Sequence, residues 1–545
     1  MFPLQNISYY TDCFKDSPPL ALAAACSHAR ECSEYHKRGL LMCSVTSDGN
    51  GTRRVVKVSS PNEPKLELKQ WWLTKQREYP LHILVSVSAA ESFDHVPAWE
   101  RISKEMTENK VDHTFDLTLK GVNALKPLNA LLRQTEEVHL NGCDLLSLEP
   151  LGGGQRLKKA DLWYCRGAFS LDPLATCSNL TSVSVSHCRE ATSLESLGKL
   201  QSLRKVIMKG CRITNIDFLK DCTMLESVDV EGCAELTSFE CLSGMQNLKS
   251  VSAFHSGVES IRGLAGCAAL ESVELGYCKR LFSLEGLSDL IHLKTVYASF
   301  SAIDSIQALA GCLALESVNV NGCNRLTTLE GLSGLPNVKT VCSAYSTIDN
   351  LRGVTGCTAL TQVDVSSCAR LTALGDLSGL PSLRTVKAEK SAIENIGDLS
   401  GCVALESVDV CGCEKLTSLR GLSALPHLTT VDAKRSGIAS IEDLAGCVAL
   451  ESVDVRNCKG LASLAGLNGL PNLTTVHAGG TSISEISSLG GCGALQTVDV
   501  SYCEGLASLD GLNGLQALRT VDATGTGVPH GTTLEGCPAL ESFGL

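Results

Sequence analysis

The sequence predicts an α/β solenoid, in which a short strand and a tight return form one coil and the coils stack into a parallel sheet. Two observations predict it. Eighteen of the 27 cysteines lie in two ladders with a spacing of 45 residues, one beginning at Cys143 and the other at Cys177. The segments around Cys278 and Cys323 read LESVELGYCKRLFSLEGLSDL and LESVNVNGCNRLTTLEGLSGL, so one unit is copied along the chain. Such copies bury an apolar core only by stacking on neighbours.

Each period divides into two halves. The alternating apolar residues Val273 and Leu275 indicate a strand with one buried face, and the later spacing of three indicates a helical or 3₁₀ return. The first half has the apolar positions Leu270, Val273, Leu275, Cys278, Leu281, Leu284, Leu287 and Leu290. The second half has Leu293, Val296, Ala298, Ser301, Ile303, Ile306, Leu309 and Cys312.

This pattern resembles the leucine-rich repeat, L-x-x-L-x-L-x-x-[N/C]-x-x-L, and the second half is similar to the short class of that family. The resemblance covers residues 111–545. It implies a horseshoe with a parallel β-sheet on its concave face, short helical or 3₁₀ returns, and protein partners bound on that face. The double repeat with two cysteines is also similar to leucine-rich repeat proteins of trypanosomes.

The composition restricts the function classes. The formal net charge is −12, which does not suit non-specific binding of nucleic acid or of an anionic membrane. No run of about 20 apolar residues and no secretory signal is present. We therefore expect a protein of the cytoplasm, with the nucleus also open, that is not secreted and whose ladder cysteines are reduced, buried thiols.

The segment before the repeats holds a set of metal-ligand residue types. The spacing of Cys32 and His36 after Cys26 resembles that of CCCH zinc fingers, and the full candidate set is Cys13, Cys26, Cys32 and His36. Three thiolates and one imidazole would make a closed tetrahedral zinc site in residues 1–45. The alternative is an ordinary helix with buried cysteines. If the zinc finger exists, the resemblance implies contact with single-stranded RNA through Arg30, Tyr35, Lys37 and Arg38.

Residues 46–110 are expected to form a small α+β region or cap. A strand is predicted at 81–87, and a helix at about 97–109 with Trp99, Ile102 and Met106 on one face. Phe115, Leu117 and Leu119 are further candidates for capping the first coil, because a solenoid needs covered ends.

The candidate binding surface follows from the strand positions that alternate with buried residues. The first-half strands place a polar or acidic group at Asp229, Glu274, Asn319, Asp364, Asp409, Asp454 and Asp499. The second-half strands and their neighbours place aromatic residues and then basic ones on the same face: Phe254, His255, Tyr277, Tyr297, Phe300 and Tyr345, followed by Lys387, Lys390, Lys434, Arg435 and Arg456. Aromatic and arginine side chains are enriched at interface hot spots, whereas drift at tolerant positions would also produce them.

No P-loop, G-x-S-x-G, H-E-x-x-H or kinase motif occurs, so we expect a protein without catalytic activity. Cys342 and Cys411 occupy strand positions expected to be exposed, but neither has a histidine at a recurring stacking distance. Three functions remain open: a protein-interaction scaffold, an RNA-binding regulator that uses the zinc finger, and, less favoured, a ubiquitin-ligase substrate receptor.

Overall fold

The computed structural model describes residues 112–545, the backbones of three earlier strands at 42–47, 54–59 and 81–88, and residues 100, 103–104 and 107–108. Two compact units divide the chain, unit 1 from Met1 to Cys233 and unit 2 from Ala234 to Leu545.

Unit 1 begins with an antiparallel pair and continues as a parallel sheet. Strand β1 (Met42–Ser47) pairs antiparallel with β2 (Arg54–Ser59), and β2 pairs parallel with β3 (Leu81–Ser88). The following parallel strands are β4 (His113–Lys120), β5 (Thr135–Asn141), β6 (Lys159–Trp163), β7 (Ser182–Ser186), β8 (Lys205–Ile207) and β9 (Ser227–Asp229). The returns contain helix α1 (Asn129–Leu132) and 3₁₀ turns at Lys126–Leu128, Glu149–Leu151, Asp172–Thr176, Leu194–Lys199 and Asp217–Asp221.

Unit 2 is a parallel sheet of fourteen strands, each three residues long. The strands are β10 (Ser250–Ser252), β11 (Ser272–Glu274), β12 (Thr295–Tyr297), β13 (Ser317–Asn319), β14 (Thr340–Cys342), β15 (Gln362–Asp364), β16 (Thr385–Lys387), β17 (Ser407–Asp409), β18 (Thr430–Asp432), β19 (Ser452–Asp454), β20 (Thr475–His477), β21 (Thr497–Asp499), β22 (Thr520–Asp522) and β23 (Ser542–Gly544). Its 3₁₀ turns are Glu240–Leu242, Arg262–Leu264, Glu285–Leu287, Gln307–Leu309, Glu330–Leu332, Arg352–Val354, Gly375–Leu377, Glu442–Leu444, Ala465–Leu467, Ser487–Gly491 and Asp510–Leu512. The predicted parallel sheet with 3₁₀ returns is confirmed.

The core of unit 2 consists of thin, nearly identical layers. The middle residue of each strand from β10 to β22 is buried and in register with its neighbours, as Val273 is with Val296 and Val296 with Val318. Leu293 and Ala298 complete the layer of one coil and have no exposed surface. Medium-sized aliphatic side chains suit this arrangement because adjacent strands are only about 4.8 Å apart.

The ladder cysteines are free, mostly buried thiols, and their Sγ atoms donate to backbone carbonyls of the preceding coil. Cys312 Sγ lies 3.2 Å from Leu287 O, and Cys323 Sγ lies 3.2 Å from Ala298 O. A buried carbonyl without a partner is costly, so the thiols also satisfy the backbone at the turns.

The region before the repeats departs in part from expectation. The predicted strand at 81–87 is present as β3, and the described residues at 100, 103–104 and 107–108 are helical, as predicted. Five residues of this region lie outside the described residues: Ile102, Met106, Trp71, Trp72 and Trp99. Phe115 and its neighbours in β4 do not cap the sheet, because β4 pairs with β3 on one side and with β5 on the other.

Candidate interaction surface

The exposed face of the unit 2 sheet carries two columns of side chains. We call the last residues of the strands the strand column, from Ser252 in β10 to Asp522 in β22. Its members between these two are Glu274, Tyr297, Asn319, Cys342, Asp364, Lys387, Asp409, Asp432, Asp454, His477 and Asp499.

Three residues after each member of the strand column, the backbone has a positive φ. We call these residues the turn column: His255, Tyr277, Phe300, Gly322, Tyr345, Ser367, Lys390, Gly412, Arg435, Asn457, Gly480, Tyr502 and Gly525. Only glycine adopts this left-handed conformation without steric cost, so the aromatic and basic members are held there against a local preference.

Five of the predicted aromatic residues gather at one end of this face and form the aromatic cluster: Phe254, His255, Tyr277, Tyr297 and Phe300. Tyr277 is its centre, because its ring centroid lies 5.2 Å from that of Phe254, 6.1 Å from that of His255 and 4.9 Å from that of Phe300. Tyr297, on the adjacent strand, is 40% exposed. The structure thus brings together residues that are more than 20 positions apart in sequence.

Gly322 ends the stack of rings. A Cβ atom on Gly322 would overlap the Phe300 ring, which lies over this glycine. Tyr345, the sixth predicted aromatic residue, is one coil further on and is 62% exposed. The aromatic surface is therefore a compact cluster followed by a single projecting ring.

Three of the five predicted basic residues are paired within their own coil, which the sequence analysis did not anticipate. Lys390 Nζ lies 2.6 Å from Glu389 and Lys434 Nζ lies 2.8 Å from Asp432. The Arg456 guanidinium binds both carboxylate oxygens of Asp454. The alternating pattern acid-x-base at 432–434 and 454–456 was the signal that could have revealed two of these pairs.

Lys387 and Arg435 are the remaining predicted basic residues. Both are exposed, and neither forms an ion pair within residues 112–545. The predicted basic residues without an acidic partner in this part of the chain are therefore Lys387 and Arg435, and the exposed ion pair of Lys390 is of little strength.

The predicted acidic column has a structural role. In most of these coils an Asp or Asn of the strand column accepts a hydrogen bond from the backbone N–H two residues later, for example Asp364 from Ser366 and Asp499 from Ser501, each at 3.0 Å. Such turns are a common use of Asp and Asn. Asp454 combines this bond with the Arg456 contact: burial raises its pKa, but the bonds from Arg456 outweigh burial, and the pKa lies below its ordinary value.

Cys411 is not exposed, contrary to expectation. It is only 6% exposed, and Cys342 is half-buried. Burial raises the pKa of both thiols, so neither is an activated nucleophile. Cys411 forms, with Asp409 and Asp432, the one group of three possible metal ligands within the described part of the chain, and the Lys434 ammonium already supplies a positive charge there.

The predicted zinc ligands Cys13, Cys26, Cys32 and His36 lie outside the described residues, as do the predicted RNA contacts Arg30, Tyr35, Lys37 and Arg38. These assignments stay predictions.

No protein-family model and no curated protein sequence matches the chain. Solved structures do match it. A chain of the Toll–Spatzle complex of Drosophila superposes with a TM-score of 0.57 at 12% identity, over 91% of this chain and 69% of that chain. A leucine-rich repeat protein of Leptospira interrogans superposes with a TM-score of 0.52 at 14% identity, over 75% of this chain and 94% of that chain.

The chain has the leucine-rich repeat fold. At these identities the likeness concerns the fold alone, and the surface chemistry must be argued from this chain's own residues. None of the described helices of this chain is long and apolar enough to cross a bilayer.

A second exposed aromatic group, in unit 1 of the leucine-rich repeat array, was missed by the sequence analysis. Trp163 and Tyr164 are each more than half exposed, and Tyr164 stacks on His187 with centroids 4.6 Å apart. Tyr164 and His187 also have a positive φ, as the turn column does in unit 2. Tyr164 precedes Cys165 as His187 precedes the ladder cysteine Cys188, and comparing the residues before these cysteines was the signal that could have found them.

Proposed function

We propose that this protein is a non-catalytic scaffold that binds a protein partner on the exposed face of the unit 2 sheet. The observation that carries the proposal is the aromatic cluster. Four of its rings, those of Phe254, His255, Tyr277 and Phe300, pack together at centroid distances of 4.9 to 6.1 Å from Tyr277, and Tyr297 is exposed at the adjacent strand end. Aromatic residues in such a setting supply most of the binding energy in many protein interfaces.

Binding to the aromatic cluster should cost little side-chain entropy. A stacked ring has already lost much of its rotamer freedom, so that a partner which covers it pays little further entropy. Tyr297 adds an exposed ring with a hydroxyl group that can bond to a partner. The described thiols have no role in this proposal, because burial keeps nearly all of them inaccessible.

The test is a quantitative pull-down with full-length protein and the double variant Tyr297→Ala/Phe300→Ala. We expect partner recovery to fall by more than tenfold, since the two rings together should supply more than about 2 kcal/mol of binding. Tyr502→Ala is the matched control, because Tyr502 is also an exposed turn-column aromatic but lies outside the cluster. Unchanged recovery of every partner by the double variant, with a normal circular dichroism spectrum, would refute the proposal.

A zinc module that contacts RNA is a separate proposal, supported only by the spacing of Cys13, Cys26, Cys32 and His36. Zinc per chain in the full-length protein, compared with the variant Cys32→Ser, tests it. One equivalent in the parent chain that is lost in the variant would support it, and no zinc in either would remove it.

A further inference from the structure

The turn column of unit 2 alternates between large and small residues over seven consecutive coils. We call the large ones the ridge residues: Phe300, Tyr345, Lys390 and Arg435. The coils between them carry Gly322, Ser367 and Gly412. All seven have φ between +54° and +68°, so their Cα–Cβ directions relative to the local backbone are nearly the same wherever a Cβ is present.

The ridge residues that precede a glycine lean in one direction. The Phe300 ring lies over Gly322, and Cγ of Lys390 lies 3.0 Å from the position that a Cβ of Gly412 would take. Successive ridge residues are two coils apart, and the turn-column residue between each pair is small: Gly322, Ser367 or Gly412. We call the three spaces between successive ridge residues the grooves.

The period of these grooves selects a peptide conformation. Adjacent strands are about 4.7 to 4.9 Å apart, so two coils span roughly 9.6 Å. A β-strand returns a side chain to the same face after two residues, or about 6.8 Å, which does not match. A polyproline II helix returns one after three residues, or about 9.3 Å, which does.

We propose that the ridge residues bind a polyproline II segment of the partner, with its residues i, i+3 and i+6 in the three grooves. This inference rests on the proposed function and names the class of partner segment that the same face takes. Polyproline II segments bind aromatic-lined grooves at low entropic cost, because they are already extended before binding.

The chemistry of each groove fixes the residue preferred there. The groove between Phe300 and Tyr345 has an aromatic ring on both sides and fits proline or a small aliphatic residue. The groove between Tyr345 and Lys390 has one ring and one aliphatic stem, and it also fits an apolar residue. The groove between Lys390 and Arg435 has on one side the Lys390 ammonium, which is paired with Glu389, and on the other the Arg435 guanidinium, which favours Asp or Glu there.

A protein segment fits this surface better than a single-stranded nucleic acid does. A nucleic acid would bring one phosphate per nucleotide, and one of these would pass the carboxylate of Asp364, for which the structure gives no ion pair and where the peptide residue is apolar. The proposed peptide brings one carboxylate, at the coils where Lys390 and Arg435 stand.

The experiment measures binding of full-length protein to labelled synthetic peptides of about nine residues, with proline at two of every three positions and the third positions varied. The tightest binding is expected with apolar residues at i and i+3 and Glu at i+6. Moving the Glu by one residue turns its side chain by about 120°, so affinity should fall about tenfold. Tyr345→Ala should weaken binding about tenfold, and Tyr502→Ala, the matched control outside the ridges, should leave it within twofold.

Reversing the charge of Arg435 tests whether this residue contacts position i+6 of the peptide. Arg435→Glu should weaken the Glu peptide and bind better to the peptide with Lys at i+6. Absence of binding by every peptide, or binding that ignores the position of the Glu and the loss of Tyr345, would overturn the inference. The pull-down with Tyr297→Ala/Phe300→Ala decides the proposed function separately, because it needs no particular peptide conformation.

Discussion

At the residue scale, the left-handed position after each strand decides what the exposed face can display. A side chain there projects beside the next coil, as Phe300 does over Gly322 and as His187 does over Gly210. Where the next coil has a glycine, the ring lies over its backbone; where it has another ring, as at Tyr277 and Phe300, the two rings stack. The glycines at these places are therefore part of the surface design as well as of the turn.

A pair of glycines tests this statement. Gly322 and Gly334 have φ values of +66° and +70°, but a Cβ on Gly322 would overlap the Phe300 ring, whereas one on Gly334 would meet no atom within 4 Å. Gly334→Ala should lose about 1 kcal/mol of unfolding free energy through its backbone alone. Gly322→Ala should lose about 1 to 3 kcal/mol more, because the ring must move. Urea unfolding measures both, and equal losses would contradict the role assigned to Phe300.

A second residue-scale prediction concerns pH. His139 lies 2.9 Å from Asp161 and 3.5 Å from Glu137, and hydrogen bonds to Asp161 and then to Glu137 raise its pKa from 6.5 to about 9, although burial and Lys159 oppose the shift. The folded state therefore binds the proton more tightly than the unfolded state does.

This difference in proton affinity gives the direction in which stability changes with pH. The stability that protonated His139 contributes is complete below its unfolded pKa of 6.5 and is lost as the pH rises through 9. His139→Gln should therefore be less stable than the parent protein at about pH 6, and the two should converge near pH 10. Thermal unfolding of both proteins across this range is the measurement, and a pH-independent difference would be the contrary result.

At the element scale, the alternation of the two coil types has a hydrogen-bonding reason. Ala298 O accepts from Ser301 Oγ of its own coil at 2.5 Å and from Cys323 Sγ of the next coil at 3.2 Å. The same arrangement recurs at Ala433 O, with Ser436 and Cys458. In these two periods one buried carbonyl accepts from a second-half and a first-half side chain, in addition to the backbone N–H of the serine.

A double-mutant cycle tests this pairing. Ser301→Ala and Cys323→Ala should each cost about 0.5 to 1.5 kcal/mol, because other donors to Ala298 O remain. The double variant should cost more than the sum, since Ala298 O then keeps only the backbone N–H of Ser301, a long hydrogen bond of 3.4 Å. The exposed Ser333→Ala is the neutral control. Strict additivity would show that the two donors act independently.

The strands were the most predictable elements. Alternation within a few residues reports which side chains are buried, so Val296 inside and Tyr297 outside could be read directly from the sequence. The charge state of the surface was less predictable. The pairing of Arg456 with Asp454 and the burial of Cys411 depend on side-chain directions at the strand ends, which spacing alone does not give.

At the scale of the whole molecule, each unit is a stack in which a coil interacts chiefly with its neighbours. First-half coils carry Glu271 and Glu316 at the strand entry, and second-half coils carry Lys294 and Lys339, which pair with them at 2.7 Å. The unit of construction is therefore a pair of coils rather than a single coil, and stability should be close to a sum over such neighbours.

Deletions within unit 2 test the size of this unit. Removing residues 391–435, one full period, joins Lys390 to Ser436 and keeps the alternation of coils. Removing residues 391–412 joins Lys390 to Cys413, so that the second-half strands Thr385–Lys387 and Thr430–Asp432 become neighbours and the alternation is broken. We expect the shorter deletion to lower the midpoint of urea unfolding more than the longer one, although it removes fewer contacts. The reverse order would argue against the two-coil unit.

The sequence by itself determined the repeat, the positions of the repeat strands, their buried faces and the aromatic residues at the start of the unit 2 sheet. These properties depend on periods of two, three and 45 residues, which are visible in one chain. Only the tertiary structure decided that Tyr277 stacks on Phe300, that Gly322 ends the stack and that Asp454 neutralises Arg456. Contacts between coils depend on register and on backbone conformation after the strands, and local spacing specifies neither.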